Sequence, residues 1–250
     1  MAVIRTVRLL TSFSKDRHTL TAKELAASAG IPLPSVYRYI ATLKDAALLV
    51  GDEQGGYHLS PRFIELAKAA EAAESIIELA DEPMRQLAAV TGETVLLVRL
   101  VNDAAVCVHS IESGQALRIT IEPGTVMPLE QGASAKLLLA ALKPDRLRAR
   151  LDAVREHDPE RAAAVEKEVA EARRRGWTTR TSEDDIQDID PGVWVASAAV
   201  WAGAEIVAAL TVASPLARVT KEVRTSLLAE VRRTAAMLST VLTERSVAAG

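Results

Sequence analysis

The 250-residue chain is 49% hydrophobic and 25% charged with a net charge of −3, the balance of an ordinary globular protein of one or two domains. Its lone Cys107 excludes an internal disulfide, and its four scattered histidines (His18, His58, His109, His157) leave no ligand spacing for a zinc site. No apolar run approaches ~18 residues and no charged-then-apolar leader is present, which argues against a membrane span and leads to an expected cytoplasmic location.

Aromatic residues make up only 3%, so the core must be built from Ala, Leu, Val and Ile. The charge is unevenly spread. Residues 1–62 carry eight Lys and Arg against five Asp and Glu, a net of +3 that leaves −6 for the rest. A basic head on an acidic body suits a small DNA contact surface.

Val3, Val7, Leu10 and Phe13 recur at helical spacing and predict a first amphipathic helix. Thr21-Ala22-Lys23-Glu24 is a capping box, and the helix that it opens stops at Gly30, which is free to adopt positive φ. Pro34 suits the first turn of a third helix with Val36, Ile40 and Leu43 on its buried side. Two helices joined by a short Gly-containing turn make a helix-turn-helix. Residues 51–56 read as a hairpin turn and Tyr57-His58-Leu59 as its returning strand, a wing.

Ser60-Pro61 opens a long helix to about Leu79, and Asp81 with Pro83 predicts a break and restart, ending at Thr91-Gly92. The period then falls from 3.6 to 2. Strands are predicted over 95–101 and 105–111 around Asn102-Asp103, and over 117–121. A helix follows Gly132, a charged helix covers 159–175, strands cover 193–200 and 206–212, and a last helix covers 221–242. The expected fold class is α+β, with a winged helix-turn-helix at 1–62, a linker helix at 63–80 and an antiparallel-sheet domain flanked by helices at 81–250.

Two segments resemble a known family. Leu20-Thr21-Ala22-Lys23-Glu24-Leu25-Ala26, Gly30-Ile31-Pro32, Val36-Tyr37-Arg38 and Leu43 are similar to the winged helix of IclR-type transcriptional regulators. Pro128 to Lys136 resembles that family's Gly-Ala-Ser-Gly-Lys loop, and Arg175-Gly176-Trp177, Pro191-Gly192-Val193 and Ala196-Ser197-Ala198 resemble its later signature. The resemblance implies a GAF-like effector domain, dimers or tetramers, and control of catabolic genes. The chain departs from the family pattern at Leu33 and Pro34, at Asp52 and Glu53 in the wing, and at Ala135.

Ser35, Val36, Tyr37, Arg38 and Tyr39 open the recognition helix, where side chains reach base edges and phosphates. Arg38 is the expected base or phosphate contact. Tyr39 reads equally as core or as a phosphate contact, and Lys44 and Arg62 read as phosphate contacts or plain surface cations. Gly132, Ala133 and Ser134 start a helix whose free amides suit a carboxylate. Alone they would read as a cap; the resemblance makes them an effector site. It also assigns Asp185, Val195 (where some members have Cys), Thr211 and Ala213 (strand positions where relatives present serines) to the pocket. With Val195, Ala213, Met127 and Leu129 apolar, the pocket is expected to favour a longer or aromatic carboxylic acid over pyruvate or glyoxylate.

The expected partners are a palindromic DNA operator, a small organic acid and a second copy of the chain. The competing reading is a metabolite-binding enzyme in which Asp185 works with His109 or Ser134 and the N-terminal region serves assembly. No Gly-x-Ser-x-Gly elbow, P-loop or dinucleotide turn is present, and the helix-turn-helix has no role under that reading. No cofactor, metal or catalytic residue is therefore expected.

Overall fold

The computed structural model describes residues 2–14, 16–73, 75–102, 104–127, 129, 132–181 and 192–248. They form two compact units, residues 1–74 and 75–250, which divide the expected linker segment 63–80 between them.

The first unit contains α1 (Ala2–Leu10), β1 (Leu20–Thr21), α2 (Ala22–Ala29), α3 (Leu33–Asp45), β2 (Leu49–Gly51), β3 (Gly56–Leu59) and α4 (Arg62–Ala73). The capping box forms as read: the Thr21 amide donates to Glu24 Oε2 (2.7 Å), and the Glu24 amide donates to Thr21 Oγ1 (3.3 Å). Gly30 ends α2 in the left-handed conformation at φ 63°. Leu9, Leu25, Val36, Ile40, Leu43 and Leu49 make a core that locks the helices to the wing.

The wing is a three-stranded sheet in the order β1-β3-β2, because the short β1 pairs with β3 beside the expected hairpin. Its acidic tip is structural. Asp52 Oδ1 accepts the amides of Gln54 (2.9 Å) and Gly56 (2.7 Å), so the carboxylate holds the turn. A Cβ on Gly56 would meet Asp52 Oδ2 at 2.5 Å and Thr19 Cγ2 at 2.6 Å, which is why glycine stands there.

The second unit runs α5 (Ser75–Thr91), β4 (Thr94–Val101), β5 (Ala104–Ile111), β6 (Val126–Met127), α6 (Ala133–Ala141), α7 (Pro144–Arg155), α8 (Pro159–Arg175), β7 (Trp177–Thr181), β8 (Val193–Ala202), β9 (Glu205–Pro215) and α9 (Lys221–Ala248). All pairings are antiparallel, in the order β6-β5-β4-β9-β8-β7. Both faces of this sheet are covered. Val95, Leu97, Ala196, Leu210 and Val212 pack under α5 and α9, whereas Leu96, Val98, Ala199, Ala209 and Ala213 pack under α6 and α8. Double burial explains why β8 and β9 are apolar almost without interruption.

Three expectations are corrected. No break occurs near Asp81: α5 continues through Pro83, since Ile76, Ala80, Met84 and Leu87 form one buried stripe whose packing outweighs the hydrogen bond that proline removes. Residues 117–121 form no strand. Two of their carbonyls are taken by side chains instead: Arg218 Nη1 donates to the Leu117 carbonyl (2.6 Å) and Thr94 Oγ1 to that of Ile119 (2.6 Å). The outer strand on β5 is β6, five residues further on. Finally, α7 and β7 were not expected. The first buries only Leu151 fully, and the second is a polar edge strand, so neither carries a clear apolar period.

Candidate functional site

On α3 the side chains divide cleanly. Tyr37 and Arg38 are exposed, and Ser35 is half-buried. The Arg38 guanidinium lies 5.7 Å from the Tyr39 ring centroid, a cation–π contact that orients it along the helix surface. Tyr39 itself belongs to the core, as does Val36, whose side chain is fully buried. The expectation that the Val36 side chain reaches DNA is therefore corrected: it holds α3 in place from behind, on the same stripe as Ile40 and Leu43.

Lys44 and Arg62 are both exposed near the α3–wing junction. Lys44 Nζ lies 3.6 Å from where a Cβ on Gly51 would stand, beside the wing. Arg62 Nη1 points at the Ala46 carbonyl (3.5 Å), the C-cap of α3, where a cation complements the negative helix end. Ser60 ties the same corner by hydrogen-bonding the Ala47 carbonyl through its hydroxyl.

In the second unit, Gly132 is the N-cap of α6 at φ 78° and, having no side chain, makes no cap hydrogen bond to the amides of the first turn. Ala133 and Ser134 are buried, and Thr178 Oγ1 on β7 donates to the Ala133 carbonyl (2.8 Å). One turn on, the buried Lys136 Nζ lies 3.2 Å from Glu168 Oε2 of α8, and Glu168 Oε1 lies 3.1 Å from Arg180 Nη1 of β7. This bridge pins the start of α6 to its neighbours on two sides. Burial pulls the Lys136 ammonium below its usual pKa, with Glu168 acting in the opposite sense.

Val195 on β8 faces Ala213 on β9 in register, and Ser197 faces Thr211. Strand alternation sets all four on the α6 side of the sheet, where Val195 and Ala213 share a cluster with the leucines of α6. The Ser197 and Thr211 hydroxyls lie 2.8 Å apart, both buried, in a face made mostly of Leu, Val and Ala with Thr94 and Cys107 further along it. Thr211 is among the residues expected in the pocket; Ser197 enters the sequence reading only within the Ala196-Ser197-Ala198 signature, although a lone serine in an Ala- and Val-rich strand is a detectable signal. Asp185 lies outside the described residues.

The geometry of the enzyme reading is poor. His109 Nε2 pairs with Asp81 Oδ1 (2.8 Å) rather than with a serine hydroxyl, and Asp81 also holds Arg85. Burial pushes the Cys107 thiol up to about 11, which suppresses the thiolate needed for nucleophilic attack. Among the described residues no group of His, Cys, Asp and Glu could hold a metal ion, and no helix is long and apolar enough to cross a membrane.

Comparison with known proteins finds matches to two family models along the chain. Residues 2–53 match the IclR helix-turn-helix domain, and residues 69–240 match the bacterial transcriptional regulator IclR C-terminal domain. The HTH-type transcriptional regulator KipR of Bacillus subtilis is 29% identical over 147 residues, 59% of this chain and 58% of that protein. The chain aligns with only about half the length of the first curated relatives it matches. The probable transcriptional regulator SauR of Cupriavidus necator is 29% identical over 88% of each chain.

Among solved structures, a putative IclR transcriptional regulator from Silicibacter sp. TM1040 superposes with a TM-score of 0.82 at 24% identity, covering 97% of this chain and 96% of that one. An IclR homolog from Microbacterium hydrocarbonoxydans, complexed with 4-hydroxybenzoate, superposes with a TM-score of 0.78 at 20% identity, covering 97% and 99%. The families and relatives matched are regulators and not enzymes. With a capped helix-turn-helix, a two-faced antiparallel sheet and family matches over both units, the chain belongs to the IclR family of transcriptional regulators, with a DNA-binding helix-turn-helix.

Proposed function

We propose that this regulator binds a palindromic operator as a dimer, through Tyr37, Arg38 and Ser35 of α3 with Lys44 and Arg62 on the flanking phosphates, and that a small carboxylic acid modulates that binding. The observation that carries the effector reading is the buried Ser197–Thr211 hydroxyl pair, set on the sheet face that α6 covers. A polar pair in a mostly apolar wall gives a ligand two groups to hydrogen-bond, while the amides of Gly132, Ala133 and Ser134 at the start of α6 suit its carboxylate. Val195 and Ala213 leave the remaining wall apolar, which favours an aromatic or longer acid over pyruvate. Asp185 is proposed to accept a ligand hydroxyl. The 4-hydroxybenzoate in the Microbacterium structure is an acid of that class.

The dimer reading is supported by Ile4 and Val7 on α1 and Ile64 and Leu66 on α4, all exposed in a unit too small to bury them alone. Dimers pairing into tetramers, a GAF-like ligand domain and a cytoplasmic location complete the proposal. Calorimetry with 4-hydroxybenzoate and with pyruvate, followed by gel-shift of the promoter fragment with and without ligand, tests it. The aromatic acid is expected to bind more tightly and to change operator affinity. Tight pyruvate binding with no response to aromatic acids would overturn the apolar-pocket reading, and a monomer mass by light scattering would overturn the dimer.

A further inference from the structure

The chain has three tryptophans. Trp194 is buried in the core, but Trp177 and Trp201 are half-buried and line a single groove of about 620 Å³ between the β7–β8 end of the sheet and α9. In a chain this poor in aromatics, two indoles spent on one surface hollow are not needed for the core. The groove's volume lies within the roughly 300–1,000 Å³ typical of small-molecule sites.

The groove has a defined polarity. Ala198, Ala235 and Ala236 leave its floor shallow and apolar, and Arg175, Arg232 and Arg233 stand around it. Arg175 and Arg232 lie 5.4 and 5.6 Å from the Trp177 ring centroid. A guanidinium stacked on an indole is held flat while its in-plane N–H groups stay free for a carboxylate fork. Arg175 is matched by Glu171 (3.6 Å) and Arg233 by Glu230 (2.6 Å). Arg232 has no carboxylate partner among the described residues, so the groove carries one uncompensated positive charge on an otherwise acidic unit.

We propose that this groove is a second ligand site, distinct from the α6 site, for a small aromatic carboxylate whose ring lies on the alanine floor against Trp201 and whose carboxylate is held by Arg232. It contains none of Gly132, Ser134, Ser197 and Thr211; Trp177 and Arg175 also line a smaller hollow beside Ala133 and Lys136, so Trp201 is the indole that reports on the groove and not on that hollow. An apolar planar wall selects the ring, and the unmatched guanidinium selects the anion.

The test uses the full chain labelled with 5-fluorotryptophan, whose three fluorine resonances are assigned with single Trp→Phe variants. Titration with benzoate is expected to move the Trp177 and Trp201 signals saturably and to leave that of the core Trp194 in place. Arg232→Gln, at an exposed position, should weaken that response about tenfold or more, the loss of one charge-assisted pair. Benzyl alcohol should produce little shift, and Thr211→Val should leave the groove response unchanged. The proposal is overturned if the two signals do not move at millimolar benzoate, if Arg232→Gln responds like the parent, or if benzyl alcohol acts as well as benzoate. Benzoate that raises the melting temperature without moving Trp201 would overturn the second site and leave the α6 site standing, whether or not Trp177 moves.

Discussion

Ser197 and Thr211 face each other across the β8–β9 ladder with their hydroxyls 2.8 Å apart, one donating to the other, and both side chains are buried. Removing one leaves the other orphaned. Thr211→Val should therefore destabilise the chain by ~1–3 kcal/mol, whereas Ser197→Ala combined with Thr211→Val should recover most of that loss. Thermal unfolding of the single and double variants checks the stability term. Calorimetry on the double variant, which folds normally under this account, isolates the loss of the ligand's polar partners.

Arg38 and Val36 are two positions apart on α3 and separate the two kinds of failure. Arg38→Ala should leave the melting temperature unchanged and weaken operator binding by ~1–3 kcal/mol, the value of a good bidentate base contact. Val36→Ala should instead cost about 2 kcal/mol of stability, because it opens a cavity behind the helix. A Val36→Ala protein that binds the operator weakly at full stability would contradict the assignment of Val36 to the core.

The capping box offers a titration. The backbone amide and hydroxyl of Thr21 hold the Glu24 carboxyl below its usual value of 4.5. A carboxyl depressed in the folded state stabilises the fold above 4.5, and that contribution disappears as pH falls through the folded value. Glu24→Gln should accordingly flatten the acid limb of the stability curve in that range, and Thr21→Ala should cost ~1 kcal/mol at neutral pH. Denaturant midpoints measured between neutral and acid pH would show both effects.

Most of the first unit was legible because its signals are local: Thr21 and Glu24 cap one helix, Gly30 ends it and Pro34 starts the next. Residues 117–121 misled for the opposite reason. Leu117, Ile119 and Ile121 alternate as a strand would, but the Leu117 and Ile119 carbonyls accept from Arg218 and Thr94, and no local pattern reveals that. The same distinction divides the site. Gly132 to Ser134 can be read directly as a helix start, whereas Ser197 acquires meaning only from Thr211, which the β8–β9 register brings opposite it. The run 35–39 sets Val36 beside the DNA-facing residues in sequence, but a helix presents one face at a time, and Val36 falls on the buried stripe with Ile40 and Leu43 that its spacing also predicts.

Lys136 gives the last prediction. Its ammonium is almost fully buried at the start of α6, bridged through Glu168 to Arg180. Burial is the largest influence on it and lowers its pKa from 10.5; Glu168 opposes that, and Arg161 and Arg180 add to the lowering. In the window between the folded value and 10.5 the unfolded chain binds a proton at this lysine that the folded chain does not, so stability should rise with pH there. Lys136→Met removes the titration and replaces a buried charge with a side chain of similar length, while Glu168 keeps its contact with Arg180. Removing one partner of a buried pair costs ~3–5 kcal/mol where it strands the other charge; Glu168 is a third exposed and retains Arg180, so the loss at neutral pH should be smaller than that. In urea midpoints measured from neutral pH to just above 10.5, the parent should gain on the variant as it sheds its buried charge. Curves that run parallel across that range would mean that Lys136 keeps its proton throughout, held by Glu168 against the cost of burial.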